Sequence, residues 1–256
     1  MAGEGQQGPR GGVDMVYFDI DDTLYDQAAP FAYAVRRTFG ALPGVTDGQL
    51  YEARGRHSGP VFRAFSEGRA PTDDEYALRM QQTLAEFGIR ATRAEALEAQ
   101  RVYADESGVA MSLSPAMAAC LDVCRARARL GVGVISNGRE PLQGEKLQVL
   151  GVGRWVAEKD VLVSQEVGLA KPDPALFRLA CERAGTVPER CAYVGDAWAT
   201  DVVGAWRARM PVAWLNRRHH ARPSASEAAP TWEVGRRRPF SPSCAARASG
   251  GARPGR

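Results

Sequence analysis

The sequence predicts an α/β fold: a parallel sheet with helices on both faces, plus a small all-helical domain inserted after the first strand. Three observations carry this. A short apolar run, Val13-Asp14-Met15-Val16-Tyr17-Phe18, leads straight into the acidic cluster Asp19-Ile20-Asp21-Asp22. Between residues 30 and 112 apolar positions recur at three- and four-residue spacing, the helical period, with no strong strand. From Ser114 onward short apolar strands alternate with helices, the rhythm of a parallel sheet and its crossovers.

The elements follow in order. Residues 1–12 are polar, lack the charged start and apolar stretch of a signal peptide, and are expected to be a flexible leader. Residues 13–26 open the core. In the inserted block, 27–112, helices are expected over 31–39, 73–87 and 93–103, punctuated by Gly40, Pro43-Gly44, Gly59-Pro60, Pro71 and Gly88. Thr72 with Glu75, and Thr92 with Glu95, have the spacing of capping boxes. The core resumes over 113–216. Ser114-Pro115 opens a helix to about residue 130, with cap and N1 proline in their favoured places. Strands are expected at 132–136, 161–163, 191–194 and 212–215, and helices at 141–150, 174–184 and 200–210. Residues 217–256, rich in Arg, Ala, Ser, Pro and Gly without apolar period, are expected to be a disordered basic tail.

Composition narrows the function classes. A chain of 256 residues with 45% hydrophobic residues buries a core without disulfides or metals. No apolar run approaches the ~20 residues of a membrane span, so no membrane role is expected. The net charge of +3 divides unevenly: nine arginines against Glu227 and Glu233 put +7 on 217–256, leaving about −4 on the rest. Such a body has no electrostatic reason to bind nucleic acid. Five cysteines without metal-ligand spacing fit a reducing cytoplasm, and Cys120 and Cys124, one turn apart, read as small buried residues.

Four segments carry chemistry, each at the C-terminal end of an expected strand, the edge where parallel sheets bind ligands. They are Asp19-Ile20-Asp21-Asp22-Thr23; Ser136-Asn137-Gly138; Lys171-Pro172, one of three lysines with Lys146 and Lys159; and Gly195-Asp196 with Asp201. Together they supply a nucleophilic carboxylate, a second carboxylate able to exchange protons, a hydroxyl, a cation and further acids for a hard metal. That is an apparatus for phosphoryl transfer to a carboxylate. Oxygen ligands suit Mg²⁺, and no His or Cys cluster suggests zinc. Asp22 reads as a helix cap. His57, His219 and His220 have no catalytic context and are expected to face solvent. Trp198 fits either the site mouth or a helix-packing position. Tyr25, Phe31, Phe62 and Phe65 are candidates for the crevice between the domains, with helical core packing the favoured reading for the three phenylalanines.

In this order and spacing "VYFDIDDTLYD", "VISNG", "GLAKPDPALF" and "YVGDAWATD" resemble the haloacid dehalogenase superfamily, over about residues 13–216. The resemblance implies a Rossmann-like core with a helical cap between the first two motifs. It implies Asp19 as the nucleophile that forms an aspartyl-phosphate, and Asp21 as the acid for the leaving oxygen and later the base for water. It implies Mg²⁺ on Asp19, the Asp21 carbonyl and Asp196, with Asp201 in or behind that shell. Ser136 and Lys171 would bind the phosphoryl oxygens, Asn137 the phosphate or substrate, and Thr23 would support the first loop at the phosphate site. The expected activity is Mg²⁺-dependent hydrolysis of a small organic phosphate monoester; sugar phosphates, phosphoglycolate and nucleoside monophosphates all fit. Dehalogenases of the superfamily lack the second acid that this chain keeps as Asp21. A phosphomutase, a 2-haloacid dehalogenase and a catalytically silent binding module are the alternatives, and oligomeric state is not legible.

Overall fold

In the computed structural model, residues 12–67, 69–138, 141–224 and 226–235 are described, without the side chains of residues 65 and 66. The leader before residue 12, Phe65 as a packing residue, Arg236-Arg237-Arg238 and Cys244 therefore lie outside the described residues.

Six strands form one parallel sheet in the order β3-β2-β1-β4-β5-β6. Strand β1 (Met15–Phe18) lies at its centre and is fully buried, as expected of a continuous apolar run flanked on both sides. Alternation sends Met15 and Tyr17 to one face and Val16 and Phe18 to the other. The first face packs on Phe177, Met210 and Trp214, the second on Leu121, Leu150 and Trp155. After β1 the chain leaves the core through five helices: α1 (Ala28–Phe39), α2 (Asp47–Arg56), α3 (Gly59–Ser66), α4 (Asp73–Ala85) and α5 (Arg93–Asp105). They enclose their own core around Phe31, Val35, Leu50, Met80 and Leu84. Both anticipated capping boxes form, and Thr46 with Gln49 adds a third. That third box starts α2, which the apolar pattern does not reveal because only Leu50 and Ala53 of it are buried.

The core then runs α6 (Pro115–Arg127), β2 (Gly131–Ser136), α7 (Leu142–Val149), β3 (Val156–Val163), α8 (Ser164–Val167), α9 (Pro174–Arg183) and β4 (Cys191–Gly195). A π turn, Trp198–Val202, precedes α10 (Val203–Arg207), where one longer helix was expected, and β5 (Val212–Leu215) follows. Strand β3 is longer than its apolar end suggests, because it is an edge strand whose first half, with Ala157, Glu158 and Lys159 exposed, needs no apolar period. Ser114 caps α6 as anticipated, accepting from Met117 N at 3.2 Å. Among the described residues no helix is long and apolar enough to cross a membrane.

Four expectations are corrected. Order continues past residue 216: β6 (Trp232–Val234) pairs in parallel with β5, so the disorder expected for 217–256 does not hold for its described part. The apolar period misses β6 because an edge strand of three residues carries too few positions to show one. Cys120 is exposed and Cys124 half-buried, since α6 turns Leu121 inward instead. Phe62 is exposed on α3 rather than packed in the helical core. His57 is half-buried with Nε2 2.7 Å from Glu86 Oε1, although His219 and His220 are exposed as expected.

Asn216 ties the last strand in. Its Nδ2 donates to His220 O (2.9 Å) and Glu233 Oε1 (3.0 Å), its Oδ1 accepts from His220 N (2.8 Å), and it is buried. Asn216→Ala is expected to destabilise the fold by about 2 kcal/mol, the loss of several buried hydrogen bonds, read as a lower urea midpoint with unchanged m-value.

Candidate active site

The register of the sheet brings three motifs together. Phe18 pairs with Val134 on one side and Val194 on the other, and Asp19 N donates to Val194 O at 2.9 Å. Asp19, Ser136 and Asp196 therefore leave the sheet along one edge. Lys171, in the loop between α8 and α9, reaches the same place from the side. Its Nζ lies 2.5 Å from Asp19 Oδ1 and 2.7 Å from Asp201 Oδ1, and 2.9 Å from the Tyr193 hydroxyl. Asp19 and Lys171 are each 6% exposed and Asp201 is 0%, so the group is closed off from bulk water. Asn137 fixes this loop: its Nδ2 donates to Lys171 O (2.9 Å) and its Oδ1 accepts from Lys171 N (2.8 Å).

Carboxylate oxygens of Asp19, Asp196 and Asp201 all lie within 4.8 Å of one another. The π turn after β4 delivers Asp201, whose Oδ2 accepts from Ala197 N (3.0 Å) and whose Oδ1 accepts from Tyr193 Oη (3.3 Å). Gly195 makes room for it, since a Cβ at 195 would fall 2.4 Å from Asp201 Oδ2. Burial pushes the Asp19 carboxyl up to about 7, with Asp201 and Asp21 adding to the rise and Lys171 opposing it. Burial and the charges of Asp201 and Asp19 push Asp196 well above the ordinary carboxylate range. Burial would lower Lys171, but Asp19 and Asp201 outweigh it and hold the ammonium charged. Three carboxyl groups gathered round one ammonium, two of them pushed up by burial and by one another, are oxygen donors that a hard divalent cation such as Mg²⁺ would satisfy in place of protons.

The Asp21 carboxylate stands outside this group and has its own partners. Lys146 Nζ, from α7, lies 2.7 and 2.8 Å from its two oxygens, Tyr25 Oη donates at 2.6 Å, and Gln143 Nε2 at 3.4 Å. Burial raises Asp21, but Lys146 and these donors win and hold it below the ordinary range. Gln143 Nε2 also donates to Ser136 Oγ at 3.0 Å. The structure thus gathers Asp19, Asp21, Ser136, Lys171, Asp196 and Asp201 at one edge. The Asn137 amide is taken up by the Lys171 backbone, and the Thr23 hydroxyl sits on Asp196 Oδ1 at 3.3 Å, so both reach the site as supports of other residues.

Asp22 is structural but does not cap a helix as expected: α1 starts after Gln27 with no side-chain cap, and Asp22, in a left-handed conformation (φ 57°), instead accepts from Gln27 N (3.1 Å) and from Arg218 (2.6 and 3.1 Å). Trp198 packs edge-on against Trp214, its ring centroid 4.8 Å away, and donates to Ser226 Oγ. Sequence reasoning missed Lys146, Gln143 and Tyr193 as site residues. Rarity was the available signal for Lys146, in a chain that otherwise uses arginine, and its i, i+3 spacing from Gln143 puts both on one helix face.

The family model for haloacid dehalogenase-like hydrolases matches residues 13–209. The chain is 32% identical over 248 residues to the phosphoserine phosphatase of Thermus thermophilus, covering 86% of this chain and 95% of that one. It is 29% identical over 230 residues to pyrimidine 5'-nucleotidase YjjG of Escherichia coli, covering 86% and 93%. The crystal structure of the HAD-hydrolase YfnB of Bacillus subtilis bound to magnesium aligns with TM-score 0.66 and 25% identity, over 88% of this chain and 95% of that one.

Lys171→Met leaves Asp19 and Asp201 buried without their counter-charge. Removing one partner of such a buried group costs about 3–5 kcal/mol. The Asp19 carboxyl of the variant rises further above its unfolded value, and a raised carboxyl loses stability as pH climbs. In metal-free protein the deficit is therefore expected to be small near pH 5 and larger at pH 8, measured by urea denaturation at both.

Proposed function

We infer that this chain, which belongs to the haloacid dehalogenase-like hydrolase family, is a phosphatase that takes a phosphoryl group from a small organic phosphate monoester onto Asp19. The observation that carries this reading is the opposite setting of two carboxylates on one loop. Asp19 faces Lys171 and the acidic cluster, whereas Asp21 is held apart by Lys146, Tyr25 and Gln143. One is placed to attack and the other to exchange protons, which a phosphate ester requires and a halide does not.

An Asp19 oxygen attacks phosphorus, the ester P–O bond breaks, and the leaving alkoxide takes a proton from Asp21. Lys146 holds Asp21 ionised before the ester arrives, so the proton Asp21 delivers is one it takes from solvent as the phosphate's negative charge approaches and raises it. Asp21, again a carboxylate, then takes a proton from water as the water attacks the phosphorus. The bond to Asp19 breaks and inorganic phosphate leaves. Lys171 offsets the Asp19 charge, and Ser136 and Lys171 donate to the phosphoryl oxygens. Mg²⁺ would be held by the Asp19 and Asp196 carboxylates and the Asp21 carbonyl, backed by Asp201, and would supply the charge that lets one anion approach another. The YfnB structure bound to magnesium and the phosphoserine phosphatase relative support this assignment. Free thiols at all four described cysteines suit a reducing cytoplasm.

Mg²⁺-dependent phosphate release from p-nitrophenyl phosphate is expected to fall at least about 10³-fold in Asp19→Asn; substantial residual turnover in that variant would overturn the nucleophile. Asp21→Asn is expected to lose about 10²–10⁴-fold, more on alkyl than on aryl phosphates, because an alkoxide needs the proton most. Protons compete with the cation at Asp19, so the Mg²⁺ concentration giving half-maximal rate is expected to fall as pH rises toward about 7 and then level off. A requirement that does not change with pH would contradict the assigned ligand.

A further inference from the structure

The inserted helical domain contains two guanidinium groups that its carboxylates leave unpaired among the described residues. Arg36, Arg56, Arg69, Arg93 and Arg101 each hold a carboxylate, on Asp47, Glu86, Glu75, Asp74 and Glu98. Arg79 on α4 does not, although it is only 4% exposed. Its Nη2 donates to the neutral amide of Gln100 at 2.8 Å, its guanidinium lies 5.2 Å from the Tyr76 ring centroid, and its Nε is buried without a partner. Arg54 on α2 is half-buried, its guanidinium 5.3–5.4 Å from the ring centroids of Phe31, Tyr51 and Tyr103, and its Nε also lacks a partner. Among the described residues neither arginine forms an ion pair. Burial lowers Arg79 to about 10, and the charge of Arg54 pushes the same way. Two buried cations repelling each other are unfavourable unless an anion joins them.

These groups sit at the end of the helical domain that faces the reaction site. Tyr51 donates to Gln27 Oε1 in the connection from the core, and Arg218 of the core lies 4.4 Å from its ring centroid. Beyond burial, the charges of Asp22 and Asp196 push the Tyr51 phenol up, and the Tyr25 phenol, bonded to Asp21, is influenced by Tyr103 and Tyr51. An ester with its phosphate at Asp19 and its organic part turned towards this end would meet these arginines.

We propose that Arg54 and Arg79 form a subsite for a second anionic group on the substrate, so that the substrate class is phosphate monoesters whose organic part carries a carboxylate or another phosphate. The proposal rests on the phosphatase reading for where the first phosphate lies. Planar guanidinium groups pair with either oxyanion through paired N–H donors, and the surrounding rings hold Arg54 in place while excluding water.

The test is calorimetric binding of ethyl phosphate, 2-phosphoglycolate and 1,3-propanediol bisphosphate to Asp19→Asn protein with Mg²⁺. At least about tenfold tighter binding of one anionic ester over ethyl phosphate is expected, and which of the two binds better identifies the oxyanion. The ratio is expected to collapse towards one in Arg54→Gln and in Arg79→Gln, and to be partly kept in Arg54→Lys. Equal affinity for all three esters would overturn the subsite, as would a preference that survives both glutamine variants. Should the glutamine variants not fold, the comparison in Asp19→Asn protein and the Arg54→Lys variant still decide. Wild-type turnover of p-nitrophenyl phosphate reports on the phosphatase reading separately. Its absence alongside the binding preference sinks that reading alone, and its presence alongside equal affinities sinks the subsite alone.

Discussion

The arrangement of Asp19, Lys171 and Asp201 is the constraint around which the rest of the site is organised. The segments that leave two adjoining strands, β1 and β4, bring three carboxylates to one sheet edge, and a single buried ammonium, on Lys171, touches two of them. Like charges in low dielectric repel strongly, so this edge holds together only with the cation accurately placed. Much of the neighbouring structure serves that placement. Asn137 grips both backbone polar groups of Lys171, Tyr193 bridges Lys171 and Asp201, and the missing side chain of Gly195 lets Asp201 in. Fold and chemistry are coupled here, because the residues that concentrate charge for reaction are the same ones the fold must stabilise.

Charge is then distributed with opposite sign across the crevice. The core side is acidic, with Asp19, Asp196 and Asp201 together and Asp21 held by Lys146. The helical side holds Arg54 and Arg79 without carboxylate partners among the described residues, and Arg218 links core to helices by bonding Asp22 and Asp26 while its guanidinium lies over the Tyr51 ring. The division of labour follows from construction. Strand ends fix the reacting groups to within hydrogen-bond distances, whereas helices of a separate hydrophobic core can change their inward side chains without disturbing them.

Much of this was legible in the residue order. Buried parallel strands need continuous apolar runs, so β1, β2 and β5 announce themselves, and capping boxes mark α4 and α5. The acidic and polar motifs follow strand ends at which the fold leaves them no other direction. Elements held by few apolar contacts were not legible: α2 has two buried residues, and β6 is three residues whose pairing with β5 depends on Asn216 and the edge of a sheet already built. Cys120 and Cys124 illustrate the same limit, since spacing gives a shared face but not which way that face points.

The sequence by itself determined which polar groups the sheet edge carries, because two neighbouring aspartates, a hydroxyl, a lysine and two further aspartates are local patterns tied to strand ends. Only the tertiary structure decided what each of them touches. Lys146 meets Asp21 across 125 residues and Lys171 meets Asp19 across 152, and Arg54 comes to lie among rings from three helices. Such partnerships shift the Asp19 and Asp21 carboxyls in opposite directions, and they arise from the order of the strands and the packing of the helices, which no local pattern encodes.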